Sequence, residues 1–315
     1  MTLALFLQLM VDGLANGLIF ALVALGYTMI YGIIELINFA HGSVVMLAAF
    51  LALTVIGACG FHPGNAWLAL PVLLVACAAF GAGVAWGVDQ IAYRPLRHAP
   101  KLTVLVTALG MAFILKNIGL VWGALPMDVF GGGSAPSSQK SVPDLLSSVN
   151  LLGDGASVYI APREVLVAGV TLPLMAVLTW FIRSTRLGTA MRAVAQNPVA
   201  ARLMGIDVDR VIGVTFAIGG ALAGVAAVVY VVYNGSVQFQ MGYYLGLMAF
   251  TAAVLGGIGN LPGAVLGGVI IGLVQAYAGF WLGSDWTNAV VFSVLILVLV
   301  FRPNGLLGVR VREKV

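Results

Sequence analysis

Residues 211–233 read VIGVTFAIGGALAGVAAVVYVVY. The run holds no charged side chain and does not alternate polar with apolar residues. A helix needs about 20 apolar residues to cross roughly 30 Å of hydrocarbon, and this run supplies them. Backbone polar groups in lipid must be bonded internally, so a spanning segment is a helix or a strand of a closed barrel. Barrel strands alternate over about ten residues; this run is continuous and predicts a helix. Comparable runs occur at 8–32, 42–58, 66–90, 102–125, 164–182, 244–258, 263–282 and 287–301. The expected fold class is all-α: a polytopic transmembrane helix bundle of about 8–10 segments, some discontinuous, in a single domain over 1–315.

Composition agrees. Hydrophobic residues make up 61% of the chain and charged residues 8%, against about 25% charged in soluble domains. Mean hydropathy is +1.08. Such a chain lacks the charge to cover a water-soluble surface. The N-terminus has neither a basic n-region nor a small-residue cleavage site, so no cleaved signal peptide is expected. Cys59 and Cys77 are not a CxxC pair and read as small apolar residues. The histidines His41, His62 and His98 are scattered, so no metal site is expected. No GxxxxGK[ST], HExxH or GxSxG occurs, which argues against a nucleotide site or a catalytic centre in this chain.

The net charge of +4 is explained by orientation rather than by nucleic acid. Basic residues gather in three patches: Arg94, Arg97 and Lys101; Arg183, Arg186, Arg192, Arg202 and Arg210; and Arg302, Arg310, Arg312 and Lys314. The loops near 59–65, 234–243 and 283–286 have no Lys or Arg, and the long loop 126–162 has one, Lys140. Cytoplasmic loops are enriched in Lys and Arg. With nine spans all three patches fall on one side, which places the N-terminus outside and the C-terminus in the cytoplasm. The turn near 33–41 carries Glu35 and no base.

Two loops have features beyond connection. In 183–210, Asn197 suits a helix N-cap, Pro198 the first helical position and Gly205 the position after the end. A short helix is expected over 198–204 and another over 189–196. This loop is either a docking surface or an ordinary basic loop. The outer loop 126–162 contains Gly131, Gly132 and Gly133, and its part 149–161 predicts a hairpin around Gly153-Asp154-Gly155.

Polar residues interrupt two apolar runs, YGIIELINFAHG (31–42) and GGIGNLPG (256–263). Discontinuous helices often build transporter sites because unwound backbone offers polar groups; tight surface turns would look similar. Asn38, His41 and Asn260 are the candidates for a path. Lys116, well inside the fourth run, either faces the path and attracts anionic groups or snorkels to the outer interface. Five glycine pairs at i, i+4 (13/17, 83/87, 220/224, 263/267, 268/272) predict close helix contacts.

Five blocks, in order and at matching spacing, carry a resemblance. They are ALVALGYTMIYGIIELINFAHGSVVML (21–47), AYRPLRHAPKL (92–102), TRLGTAMRAVAQNPVAARLMGIDVDRV (185–211), GGIGNLPGAVLGG (256–268) and FRPNGLLG (301–308). The chain resembles the permease subunits of bacterial ATP-binding-cassette importers for branched-chain amino acids. The resemblance implies an inner-membrane subunit paired with a second permease subunit, usually as a heterodimer. It also implies two cytoplasmic ATPase subunits that use the ATP, and a periplasmic substrate-binding protein. It assigns 185–211 to docking on the ATPase, with Arg186, Gly188, Arg192, Asn197, Pro198, Arg202 and Gly205 as the coupling residues. Lys116 stands where an uncharged amide is common, and relatives carry urea, amides and other small solutes. An ion-coupled carrier is the other class to weigh; it needs embedded acids, for which Glu35, Asp12 and Asp89 are the candidates.

Overall fold

The computed structural model describes residues 2–34, 38–97, 99–133, 135–153 and 155–308. Glu35, His98, Asp154, Arg310, Arg312 and Lys314 lie outside the described residues. Among those described, the chain forms eleven helices. Their order is α1 (Leu3–Ile34), α2 (Ala40–Cys59), α3 (Ala66–Val88, continued by a π turn Asp89–Tyr93), α4 (Lys101–Trp122), α5 (Pro162–Ser184), α6 (Arg186–Gln196), α7 (Pro198–Leu203), α8 (Val208–Asn234), α9 (Met241–Gly256), α10 (Leu261–Leu282) and α11 (Ser284–Phe301). Eight of these segments are long and apolar enough to cross a membrane, and α9 is shorter. The protein is therefore a polytopic helical bundle, with α6 and α7 as a short polar pair between two spans.

Burial sorts the spans into layers. α1 is enclosed on all sides from Ile19 to Ile30, and α2 and α8 are nearly as buried. A helix that is apolar all round belongs inside a large bundle or in lipid, and these three are the inside. α4, α5 and α11 present exposed large side chains such as Phe113, Trp180 and Ile296, which suit a lipid-facing layer.

The glycines make the inner contacts close. A methyl group at Gly272 would lie 2.3 Å from the backbone nitrogen of Gly17, and one at Gly268 2.6 Å from that of Ala21; this is the α1–α10 crossing. At the α3–α8 crossing, a methyl at Gly224 would lie 2.0 Å from the Cys77 carbonyl, and one at Gly220 2.2 Å from that of Gly81. The pair Gly263/Gly267 likewise meets the backbone of α9 at Gly256 and Ala252. Gly83/Gly87 does not behave as expected: a methyl group placed at either would meet no neighbouring element within 4 Å, because the packed face of α3 runs through Cys77, Gly81 and Ala85. Overpacking a filled contact costs about 1–3 kcal/mol and sometimes more. Gly224→Val is therefore expected to lower the thermal midpoint of the detergent-solubilised protein by several degrees or prevent its recovery. Gly83→Ala should leave the midpoint unchanged or slightly higher. A static-light-scattering melt of both variants checks this.

The long loop 126–162 differs from the expected hairpin. Among the described residues of 149–161 no strand ladder forms: the backbone bond from Leu151 to the Ile160 carbonyl at 2.8 Å joins the two ends of the segment and is supplemented by the Asn150 side chain. The Asn150 amide donates to the Val158 carbonyl at 3.0 Å and accepts from the Ile160 nitrogen at 3.1 Å. A side-chain amide thus takes the place of paired strands. The ladder that does form is long-range, β1 (Lys140–Ser141) antiparallel to β2 (Ser236–Val237). It fastens the outer loop over the end of α8.

Candidate functional site

The described residues of the three basic patches meet at one end of the bundle. Arg97 bonds Asp209, the neighbour of Arg210. Arg183 and Arg192 line a cavity of about 490 Å³ with Asn260. The Asn260 amide in turn donates to the Leu307 carbonyl at 2.7 Å, five residues beyond Arg302.

At this end α6 and α7 form a bounded element. The Thr185 hydroxyl caps α6 by accepting from the Gly188 nitrogen at 3.0 Å. α6 turns Gly188, Met191 and Val194 inward and leaves Arg186 and Arg192 exposed. Gly188 rests on α5 so closely that a methyl there would lie 2.3 Å from the Ile182 carbonyl oxygen. The Asn197 side chain accepts from the nitrogens of Val199 and Ala200, both at 3.0 Å, and Pro198 opens α7. At the far end Gly205 has φ +82°, its nitrogen donates to the Arg202 carbonyl, and Ile206 donates to the Ala201 carbonyl. This paired closure is the Schellman arrangement, which requires a left-handed residue at that position. α7 is one residue shorter than expected, and α6 begins three residues earlier. Ala201 faces inward, whereas Val199, Leu203 and Met204 stand 70–84% exposed.

Beneath α7 lies an ionic cluster. The Arg97 guanidinium donates to both carboxylate oxygens of Asp89, at 2.7 and 2.9 Å, and also to Asp209. Asp89 is fully buried. A buried carboxylate persists only when paired, and here one arginine joins the π turn after α3 to the start of α8. Pro198, Val199 and Arg202 of the α7 region line the same cavity of about 330 Å³. Sequence reading sorted Asp89 and Arg97 into separate groups. The available signal was an acid ending an apolar span with an arginine in the loop that follows.

The two interrupted helices resolve into different arrangements. Between α1 and α2, the Asn38 side chain accepts from the Ala40 nitrogen at 3.1 Å and from the Tyr93 hydroxyl at 2.9 Å. The His41 nitrogen donates to the Asn38 carbonyl, so these two candidates are brought together. The His41 ring is wholly buried, edge-on to Tyr27 at 4.8 Å, and pressed against Gly26. Neither ring nitrogen makes a hydrogen bond of ordinary geometry. Asn260 stands elsewhere. Its side chain caps α10 by accepting from the Gly263 nitrogen, and it faces the α6 cavity, close to Arg192.

Lys116 is separate again, about 22 Å along α4 from the basic end at a helical rise of 1.5 Å per residue. It is half-buried, with its ammonium 5.3 Å from the centre of the Phe239 ring. It borders a cavity of about 450 Å³ floored by Tyr27, Ser43 and Met46 and walled by α4 and α9. Tyr27 lines the cavity beside Lys116 and also meets the His41 ring.

Similarity to known proteins gives the family. Residues 9–299 match the family described as "Branched-chain amino acid transport system / permease component". The chain is 40% identical over 317 residues to the high-affinity branched-chain amino acid transport system permease protein BraD of Pseudomonas aeruginosa, covering 98% of each chain. It is 38% identical over 316 residues to the corresponding protein LivH of Escherichia coli, again covering 98% of each. A more distant similarity, 29% over 252 residues, joins it to the autoinducer 2 import system permease protein LsrC of E. coli, covering 75% of this chain and 65% of that one. No solved structure matches. With a family match over nearly the whole bundle and relatives aligned end to end, the chain belongs to the branched-chain amino acid transport system permease family.

Proposed function

We propose that the chain is the membrane-spanning permease subunit of an ATP-binding-cassette importer, and that it moves branched-chain or other small neutral amino acids across the bacterial inner membrane by alternating access. The observation that carries this reading beyond the family match is α7. A six-residue helix closed by caps at both ends, with Val199, Leu203 and Met204 exposed among arginines, is a rigid knob with an apolar tip. Such a tip at the basic end is suited to a groove on a cytoplasmic partner. The partners are two ATPase subunits, which use the ATP, together with a second permease subunit and a periplasmic binding protein that delivers the solute. The N-terminus is then periplasmic and the C-terminus cytoplasmic, as the positive-inside rule expects. Asn38, His41, Lys116 and Asn260 belong to the path and its gates.

One observation weighs against an ion-coupled carrier: Asp89 is held by Arg97, a fixed countercharge that leaves this acid unsuited to carry an ion. A permease for urea or amides keeps the same architecture and differs in the solute alone.

Purification of the tagged chain from detergent-solubilised membranes tests the reading. A second permease and ATPase subunits should copurify. Recovery of the chain alone, still active in liposomes without ATP, would replace the importer with a carrier or channel.

A further inference from the structure

Lys116 borders two cavities of opposite character. The inner one, about 450 Å³, is walled by Met46, Phe113, Phe239, Leu247 and Phe250. The outer one, about 330 Å³, is lined by Gln139, Gln238, Gln240, Tyr230 and Ser236. Lys116 and Tyr243 are the residues common to both. Among the described residues no carboxylate lines either cavity and Lys116 makes no ion pair; the Phe239 ring is its neighbour. A cation at a span's interior stays where an opposite charge or a polar chamber receives it. Here the polar chamber is present and the opposite charge is not.

We infer that Lys116 and these two cavities form an amino-acid subsite within the permease: the ammonium takes the carboxylate of a zwitterionic α-amino acid, and the inner cavity takes its aliphatic side chain. The inference rests on the importer reading and specifies its substrate-contacting site. The size suits a small ligand, since pockets of roughly 300–1,000 Å³ hold such molecules. The division suits the ligand's chemistry, because an amino acid has a charged head and, in this class, an apolar tail. The ligand's own ammonium finds acceptors in the amide oxygens of the outer chamber. Tyr244, whose hydroxyl is bonded to the Gln275 side chain, also lines that chamber and brings a polar group beside the carboxylate position. Selection by the permease then adds to selection by the binding protein. Charge with a fitted apolar slot distinguishes leucine both from alanine and from uncharged amides.

The test uses the assembled importer in proteoliposomes, with the same binding protein throughout and Cys59→Ser as background. Lys116→Met should lower leucine uptake at least tenfold. Copurification of the ATPase subunits, which reports folding and assembly, should stay as in the parent. Lys116→Cys should be equally impaired. Its modification with a cationic aminoethyl thiosulfonate, which rebuilds a lysine-like side chain, should restore uptake, and the neutral methyl reagent should not. Leu247→Trp, which fills the inner cavity, should depress leucine uptake more than alanine uptake. Parental leucine uptake in Lys116→Met overturns the subsite, and so does equal rescue by the neutral reagent. A changed dependence on anionic lipid with leucine uptake intact also overturns it, in favour of a headgroup contact. If the parent assembly itself imports no amino acid, the importer reading fails instead.

Discussion

Replacing Gly205 with Val is expected to uncouple ATP hydrolysis from solute uptake: uptake falls more than tenfold while the importer still assembles and hydrolyses ATP. The reason is local. Gly205 sits at φ +82° with nothing within 4 Å of a methyl group placed there. The substitution therefore meets no clash and acts through the backbone alone. A β-branched residue held in the left-handed region costs about 1–3 kcal/mol. The available relief is to unwind the turn that closes α7, giving up the Gly205–Arg202 and Ile206–Ala201 bonds. A helix of six residues has little stability of its own, so its shape depends on these bonds and on the Asn197 cap. Asn197→Ala with Pro198→Ala attacks the other end, where loss of an N-cap costs about 0.5–2 kcal/mol, and should give the same phenotype. The spans α5 and α8 are untouched in both variants, so insertion and binding-protein affinity are expected to survive. Parallel assays of uptake and ATPase activity in proteoliposomes check this, and normal uptake by both variants would remove α7 from the coupling mechanism.

Much of this architecture is legible in the residues because the solvent imposes it. Lipid forces continuous apolar runs into helices, so each expected span has a counterpart, with ends displaced by a few residues; α1 begins at Leu3 rather than near residue 8. The caps of α7 were readable because Asn, Pro and Gly occupy positions whose backbone geometry only a few residue types satisfy. Four of the five glycine pairs pack as expected. The fifth, Gly83/Gly87, shows the limit: spacing reveals a smooth face but not whether a neighbour comes to it. The expected hairpin in 149–161 differs from the structure for a related reason. A Gly-rich turn signals reversal, but here the Asn150 amide rather than a strand pair closes it. The cavities beside Lys116 draw on α1, α2, α4 and α9, and no local pattern records which residues of distant helices will share a space. His41 was legible as an interruption in an apolar run. Its fully buried ring, with neither nitrogen in a hydrogen bond of ordinary geometry, is a property of the packed state and marks this helix break as a place to look for rearrangement.

The same distinction governs the ionic cluster under α7, where the expected effect on stability is the largest. Arg97→Ala removes both bonds to Asp89 and the bond to Asp209, leaving a fully buried carboxylate without its bonded countercharge and held by the neutral Gln90 amide at 3.1 Å. Breaking a buried pair from one side costs about 3–5 kcal/mol, whereas replacing both partners by apolar groups of similar size is often neutral. Arg97→Ala should therefore lower the thermal midpoint sharply. The double variant Arg97→Met, Asp89→Leu should recover most of the loss, with Asp209, which is partly exposed, resolvated by water. Transport is expected to part company with stability in that double variant. Arg97 joins the π turn after α3 to the first turn of α8, and α7 borders the same cavity. An apolar pair can fill the space but cannot hold Asp209, so displacement of α7 is no longer passed to α3 through a directional contact. The expected result is a double variant with near-parental melting and impaired uptake per ATP hydrolysed. If the double variant melts and transports like the parent, the cluster serves folding alone and the coupling path runs instead from α6 through Gly188 into α5.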